Sequence, residues 1–539
     1  MSEQREHVFY GGSLIGSIDC DCSSLGSLIL KRLSENGKDE AFIDAISGES
    51  IRYDQLLECV LILSHRLRSC GIGKGSVVAI MSENSNKFPI AALGTICSGA
   101  VVLPLNPSYT ETELNHILSL TNPQLIFAST KALHTLLSIH SQHPCIKQFI
   151  SFDNCVINHK IILFDKFVEH TDSYPVTASD PVLLKDDVTL MVLSSGTTGF
   201  PKAVQLTHYN VMTVIAYMRE DPRYTQLSVP IRLLGLLPFY HVYGFMLTLN
   251  VACNHYPMVV LPRFEPDLFL RSIQNHQITM ANLVPPLMVF LAKHPAVDNY
   301  DLSSLRAILC GAAPLSKHIE DQVLKRLPHV QSVRTAYGMS ETSLGVLSKV
   351  NDKAGSVGRV HKTSWVKIVD NSGNSLGPYE VGEICVKGPL VMKGYYRDAE
   401  ATNQSIDEQG WLHSGDTGYF DDEGDFFIVD RIKDLIKYKG FQVAPAEIES
   451  VLLSHEAIRD AAVVGLPDDN CGELPVAFVV QTDKLSEDQI KQFVESKLSP
   501  QKHLRGGVYF VNEIPKTGSG KILRRELRKL LPKKTKAKL

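Results

Sequence analysis

The short apolar runs Val77–Met81, Ala100–Pro104 and Gln124–Ala128 alternate with helical stretches such as Phe88–Ser98, and that alternation limits the fold more than any other feature of the chain. An apolar run without polar interruptions is buried on both faces, and a helix between two such runs is the crossover that parallel pairing requires. An α/β fold with largely parallel sheets is the expectation. After about residue 355 the texture changes to Gly- and Asp-rich segments between short strands, among them Trp365–Val369, Gly382–Val386 and Phe426–Val429, which predicts a β-rich subdomain. The final hundred or so residues predict a compact α+β domain: helix Pro445–Ser454, strands Asp460–Val464 and Val476–Val480, helix Glu487–Leu498 and strand Gly507–Val511. The expected organisation is a large N-terminal domain, residues 1–430, of two α/β subdomains plus the β-rich one. A hinge at 431–433 then leads to a small mobile C-terminal domain, 434–539, with a basic tail.

Composition narrows the function classes. Lys and Arg number 54 against 58 Asp and Glu, a formal charge of −4, and 44% of residues are apolar, which excludes a disordered chain and a whole-chain polyanion-binding surface. No nucleic-acid partner is expected. The 11 cysteines are scattered without a CxxC pair or zinc-ligand spacing, which favours a reducing compartment. Met1–Val8 carries acids and no apolar block, so neither a secretory signal nor a transit peptide is expected there. In the most apolar stretch, Leu233–Pro262, the residues Pro238, His241, Asn250, Asn254, His255 and Pro257 interrupt the ~20 clean positions a membrane span needs. Buried strands and helices explain it, and no transmembrane segment is expected.

The segment Ser194-Ser-Gly-Thr-Thr-Gly-Phe-Pro-Lys202 follows the apolar strand Thr189–Leu193 and precedes the alternating strand Ala203–Thr207, so it is a loop between strands. Hydroxyls, two glycines free to expose backbone N–H groups and one lysine give many donors and little bulk, which suits a polyphosphate. On composition alone a polar hairpin turn explains it equally well. It is not a Walker loop, and Gly518-Ser-Gly-Lys521 fails that pattern too, with Pro515 where the first glycine belongs and Ile522 after the lysine.

Further segments follow in order: Gly311-Ala-Ala-Pro-Leu315, Tyr337-Gly-Met-Ser-Glu-Thr342, Gly382–Gly388, Gly410-Trp-Leu-His-Ser-Gly-Asp416, Asp430–Lys433, Lys437–Glu447 and Pro515–Lys521. With these segments the sequence resembles the adenylate-forming superfamily of acyl-CoA synthetases, peptide-synthetase adenylation domains and beetle luciferases. The likeness is greatest to 4-coumarate:CoA ligase-like enzymes and luciferases, and it covers nearly the whole chain. Each segment alone is weak; together and in order they are specific.

The resemblance implies a chemistry. A carboxylate is a poor electrophile, and transfer of AMP from ATP supplies the leaving group that lets a thiol attack it. By resemblance the ATP and AMP contacts are Ser194, Ser195, Gly196, Thr197, Thr198, Gly199, Lys202, Gly311, Ala312, Ala313, Tyr337, Gly338, Ser340, Asp416 and Arg431. Within that set Tyr337 offers its ring to adenine and Asp416 accepts the ribose hydroxyls. Thr198 and Glu341 would hold Mg2+ and reduce anionic repulsion. The acyl pocket implied is His241, Tyr243, Gly311, Gly338, Leu344 and Gly345. Lys521, His241 and Lys437 carry the catalytic roles, with Lys521 bridging carboxylate and α-phosphate oxygens; Lys439, Gly440 and Gln442 line the CoA path, and Lys433 is the hinge.

Departures from the luciferase pattern are several. Where beetle luciferases read His-His-Gly-Phe-Gly this chain has Tyr240-His-Val-Tyr-Gly244, and where they read Thr-Ser-Ala it has Ser343-Leu-Gly345. Glu220 separates Arg219 from Asp221-Pro222, where their arginine precedes Asp-Pro directly, and Ala203 replaces the common glycine after Lys202. The expected activity is an ATP-dependent carboxylate:CoA ligase using ATP, Mg2+ and CoA. Its acid is expected to be a hydroxycinnamate-like aromatic or a medium- to long-chain fatty acid. A luciferase-type monooxygenase, and a non-catalytic binding protein on the same fold, are the alternatives. The terminal Ala537-Lys538-Leu539 is close to the Ser-Lys-Leu peroxisomal address, which implies a peroxisomal import receptor as partner and peroxisomal rather than cytoplasmic localisation.

Overall fold

A computed structural model describes residues 7–14, 22–153, 161–169, 183–194, 201–221, 224, 227, 229–349, 353–468, 470–518 and 520–531. Ser195–Gly199 of the polar loop and the tripeptide Ala537–Leu539 lie outside these residues.

The alternation in the first half produces two mixed sheets. In one, Val101–Leu105, Val77–Met81, Leu125–Ala128, Gln148–Ser151 and Ile161–Leu163 pair in parallel. Val188–Ser194 adds to them in parallel, and Lys202–Thr207 then pairs antiparallel with it, putting Ser194 opposite Lys202. The second sheet runs Ser332–Tyr337, Ala307–Cys310, Met280–Leu283, Leu233–Gly235, Met258–Val260 and Glu40–Asp44, all parallel. Continuous apolar strands are what a sheet covered by helices on both faces needs, and every residue of Val77–Met81 and Met280–Leu283 is buried.

Boundaries moved where a cap decided them. The helix expected from Phe88 spans Lys87–Ser98, ended by Gly99 at φ 86, and the next strand starts at Val101 because Ala100 is spent on the turn. The apolar stretch from Leu233 resolves into strand Leu233–Gly235, helix Val242–Asn254 and strand Met258–Val260. No helix among the described residues is long and apolar enough to cross a membrane.

The β-rich part is an antiparallel sheet ordered Phe9–Tyr10, Trp365–Val369, Gly382–Lys387, Leu412–Phe420 and Phe426–Arg431. Residues 436–531 build a separate sheet from Phe441–Val443, Ile436–Tyr438, Gly472–Gln481 and Ile458–Asp468, with Val508–Phe510 alongside. It has its own apolar clusters, one around Ile448, Val463 and Ile490 and the other around Val464, Phe478 and Leu527. Large and small units meet through Lys293, whose Nζ donates to the carbonyls of Leu453, His455 and Ile458 at 2.9, 3.3 and 3.1 Å. The loop before Lys521 also crosses: a Cβ on Gly518 would lie 2.2 Å from the Tyr240 hydroxyl.

Candidate active site

Strand ends place the first group of side chains. Tyr337 closes Ser332–Tyr337, and its hydroxyl donates to Asp416 Oδ2 at 2.8 Å. Asp416 stands opposite Arg431 in the antiparallel pair Leu412–Phe420 and Phe426–Arg431, so register brings Arg431 Nε to 3.4 Å from Asp416 Oδ1. Asp416 is buried; burial pushes its carboxyl up, opposed first by Arg431 and then by the Tyr337 hydroxyl.

The turn that presents Asp416 has its own support. Glu383 Oε1 accepts the Gly415 N–H at 2.9 Å, Gly415 has φ 71, and Glu383 Oε2 lies 2.8 Å from His413 Nδ1. His413 faces Cys385 across the ladder, with 3.5 Å from Sγ to Nδ1. Glu383, Cys385 and His413 thus form a cluster with the ligand types of a metal site. Sequence reading missed it because a two-residue step and a cross-strand partner show no recognisable spacing.

His241 caps the helix Val242–Asn254, and its Nδ1 accepts the Tyr243 N–H at 3.4 Å. An accepting Nδ1 leaves the ring proton on Nε2. Burial, then the nearby Lys521 ammonium, pushes the imidazole down to about 3, so this histidine is neutral. Lys521 follows a tight turn in which Thr517 N–H donates to Lys521 O at 2.8 Å and Lys521 N–H to Thr517 Oγ1 at 3.1 Å, with Gly520 at φ 80. Burial lowers the Lys521 ammonium, helped by Arg431 and opposed by Glu341 and Asp416.

One cleft, about 720 Å3 including its mouth, collects His241, Tyr243, Gly311, Ala312, Tyr337, Gly338, Ser340, Leu344, Gly345 and Lys521. Residues separated by up to 304 positions, Tyr217 and Lys521 at the extremes, share its wall. Tyr217, Asn282 and His361 line it too and were not singled out from sequence. Gly338 has no alternative, since a Cβ there would lie 1.9 Å from the Leu344 carbonyl oxygen, and Ala312 holds φ 71. Glu341 Oε1 accepts the Tyr395 hydroxyl at 3.0 Å.

Other sequence-derived residues sit elsewhere. Ser194 and Lys202 bracket the loop, Lys202 lying over the Tyr395 ring at 4.9 Å, and Ala313 is not among the cleft lining. Lys437, Lys439, Gly440 and Gln442 occupy the exposed hairpin Ile436–Tyr438 and Phe441–Val443, and none lines the cleft. Lys433 keeps much of its surface in solvent, but its ammonium end is half-buried, which with Arg431 beside it lowers the group to about 8.

A carboxylate–guanidinium pair bonded to the phenol Tyr337 of the cleft wall, a lysine from a second domain, and a neutral histidine at an apolar pocket define an enzyme with the adenylate-forming fold. The chain belongs to the AMP-binding enzyme family, which matches residues 30–396, with the AMP-binding enzyme C-terminal domain at 447–521. It is 40% identical to luciferin 4-monooxygenase of Nipponoluciola cruciata, covering 92% of this chain and 91% of that protein. To 4-coumarate–CoA ligase 3 of Oryza sativa subsp. japonica it is 36% identical, covering 98% and 96%. The crystal structure of ATP-bound MatB from Rhodopseudomonas palustris superposes with a TM-score of 0.84 at 26% identity, over 94% of this chain and 98% of that one.

Proposed function

We propose that this protein is an AMP-forming carboxylate:CoA ligase. In the first step an acid carboxylate oxygen attacks the α-phosphorus of ATP, forming acyl-AMP and releasing pyrophosphate. In the second the CoA thiol attacks the acyl carbon, the thiol proton is lost, and AMP leaves. The observation that carries this reading is the presence of Lys521 in the same cleft as His241 and Tyr337. An ammonium held in a largely water-excluded site is strongest where negative charge gathers during phosphoryl transfer. The neutral His241 presents an Nε2–H to a carboxylate oxygen without adding a competing cation. Asp416, with Arg431 alongside, takes the ribose hydroxyls, and Tyr337 and Gly338 flank the nucleotide.

Glu341 fits a hard cation, because one carboxylate oxygen is engaged by a phenol and the other carries no hydrogen bond among the described residues. Bound Mg2+ supplies charge shielding between the two anionic reactants. The hairpin bearing Lys437, Lys439, Gly440 and Gln442 serves the second step after a rotation about Lys433. The acid is a hydroxycinnamate-like aromatic or a medium- to long-chain fatty acid, which suits a cleft mixing Tyr217, Met218, Leu247, Leu309 and Leu344.

A panel of such acids, scored for AMP release with and without CoA, tests the reading. CoA-dependent AMP and thioester are expected; adenylate without thioester would reject it. The similarity to luciferin 4-monooxygenases favours a second reading, in which the adenylate is handed to oxygen. Bright emission with luciferin in place of thioester formation would select that one. Import into peroxisomes through Ala537-Lys538-Leu539 is proposed from sequence. Deleting those three residues should move a tagged chain from peroxisomes to cytosol with activity unchanged, and identical distributions of both chains would reject the address.

A further inference from the structure

The antiparallel pair Gly382–Lys387 and Leu412–Phe420 keeps its register on both sides of the turn that presents Asp416, with Cys385 opposite His413 and Glu383 opposite Thr417. Between those two positions the first strand has one residue, Ile384, and the second has Ser414, Gly415 and Asp416. The surplus forms the bulge that carries Asp416. Residues two apart on a strand share a face, and so do cross-strand partners, so Glu383, Cys385 and His413 converge behind that bulge. A carboxylate oxygen, Sγ and an imidazole nitrogen from the three all lie within 4.8 Å of one another.

The spacing suits one ion. A divalent ion about 2.3 Å from a thiolate and about 2.0 Å from an imidazole nitrogen, at a tetrahedral angle, sets those two atoms about 3.5 Å apart. Cys385 Sγ and His413 Nδ1 are 3.5 Å apart. The 2.8 Å from Nδ1 to Glu383 Oε2 is a hydrogen-bond distance, which opens by about 0.5 Å when both atoms turn to the ion. The ring proton then sits on Nε2, 3.6 Å from Asp407 Oδ2, and an outer carboxylate of this kind orients a ligating histidine. A thiolate, a carboxylate and a neutral imidazole balance the two charges of the ion. Lys367 pairs with Cys385 in register, and its ammonium is occupied over the Trp411 ring at 4.6 Å. Cys385 is buried with Val369 and Trp411, whereas the His413 and Glu383 side chains keep 33% and 22% of their surface in solvent. That side gives the ion its entry path and a water as fourth ligand.

We propose that Glu383, Cys385 and His413 bind one thiophilic divalent cation of the zinc class, which braces the turn presenting Asp416. On binding, the Cys385 thiol proton leaves to solvent and the His413 ring proton occupies Nε2. Glu383 Oε2 takes the ion while Oε1 keeps the Gly415 N–H, so the ion is tied to the turn through one carboxylate. Sulfur and nitrogen donors select this class over Mg2+, a hard cation that takes oxygen ligands. The site is independent of what becomes of the adenylate, and it stands or falls apart from the ligase reading.

The test is a titration of the full chain, stripped with a chelator and dialysed, using Co2+ and then Zn2+ in competition with a chromophoric indicator. One tight Zn2+ per chain is expected, undisturbed by a large excess of Mg2+, and Co2+ should give a near-ultraviolet thiolate band with the visible bands of a tetrahedral site. Cys385→Val should abolish the thiolate band. His413→Asn, which keeps an N–H for Glu383, should weaken Zn2+ about tenfold or more. One equivalent of Zn2+ should raise the melting temperature and slow amide hydrogen exchange across Leu412–Asp416 in the parent chain but not in Cys385→Val. Cys385→Ser serves if Cys385→Val does not fold, since oxygen in place of sulfur also removes the band. A cobalt complex without the thiolate band, a band unaltered in the Cys385 variant, or amide exchange unaltered by Zn2+ overturns the proposal.

Discussion

At the residue scale the cleft depends on contacts with no slack. Lys521 belongs to neither apolar cluster of the small domain, and it is the ammonium facing the cleft from that domain. Lys521→Ala should lower pyrophosphate exchange about a hundredfold or more, as for loss of one preorganised electrostatic donor, while nucleotide binding and melting temperature hardly change. Unchanged exchange would remove Lys521 from the mechanism. Gly338 gives the opposite kind of test. Its missing Cβ would strike the Leu344 backbone at 1.9 Å, whereas the nearest atom to a Cβ on Gly345 is 3.7 Å away. Gly338→Ala should cost about 1–3 kcal/mol of stability by overpacking and more than tenfold in exchange, and Gly345→Ala should leave stability nearly unaltered. Motif order made Lys521, Tyr337 and Asp416 legible. Asn282 was not legible, because a lone Asn in an apolar strand reads as noise until its neighbours Tyr243 and Leu309 are known.

At the element scale, sequence periodicity marked the strands and helices well because apolar runs and caps are local. The polar joints between elements are not local. His208 shows this: at the start of the helix His208–Glu220 it accepts the Leu25 N–H on Nδ1 at 3.1 Å, joining it to the helix Leu25–Leu33. Burial pushes this imidazole down from 6.5 to about 4, against a small opposing pull from Asp187. The unfolded chain therefore binds a proton that the folded chain refuses between those values. Stability should be complete above pH 6.5 and fall as pH drops toward 4, by on the order of 3 kcal/mol for this one group. His208→Asn keeps an acceptor for Leu25 and removes the titration. Urea midpoints measured from pH 7 to 4.5 should then fall less steeply in the variant. Parallel curves would assign the acid sensitivity elsewhere. Likewise Cys385 and His413 are 28 positions apart in sequence and become neighbours only through the register of Gly382–Lys387 and Leu412–Phe420.

At the scale of the whole molecule the two units are held in the arrangement that puts Lys521 in the cleft. Lys293 gives its ammonium to three carbonyls of the small unit, and partial burial lowers its pKa, opposed by Glu456. Asp430 accepts the Ala446 N–H at 3.0 Å and the Arg431 N–H at 2.7 Å, tying the connector to the helix Pro445–Leu453. One arrangement cannot easily serve both half-reactions, since the hairpin around Lys439 lies outside the cleft that Lys521 occupies. If a rotation about Lys433 exchanges them, two substitutions should act in opposite directions. Lys293→Met keeps the apolar stem and removes the three hydrogen bonds, which lowers the population of the adenylating arrangement. A shift of 1–2 kcal/mol makes exchange about five- to thirtyfold slower, with thioester formation from preformed acyl-AMP equal or faster. Lys433 donates no backbone hydrogen bond among the described residues, so Lys433→Pro removes no contact there while fixing φ near −65°. It should spare exchange and slow the reaction of CoA with preformed acyl-AMP severely. Equal losses of both steps in Lys433→Pro would mean local misfolding. Equal changes of both steps in Lys293→Met would mean that one arrangement of the domains performs the entire reaction.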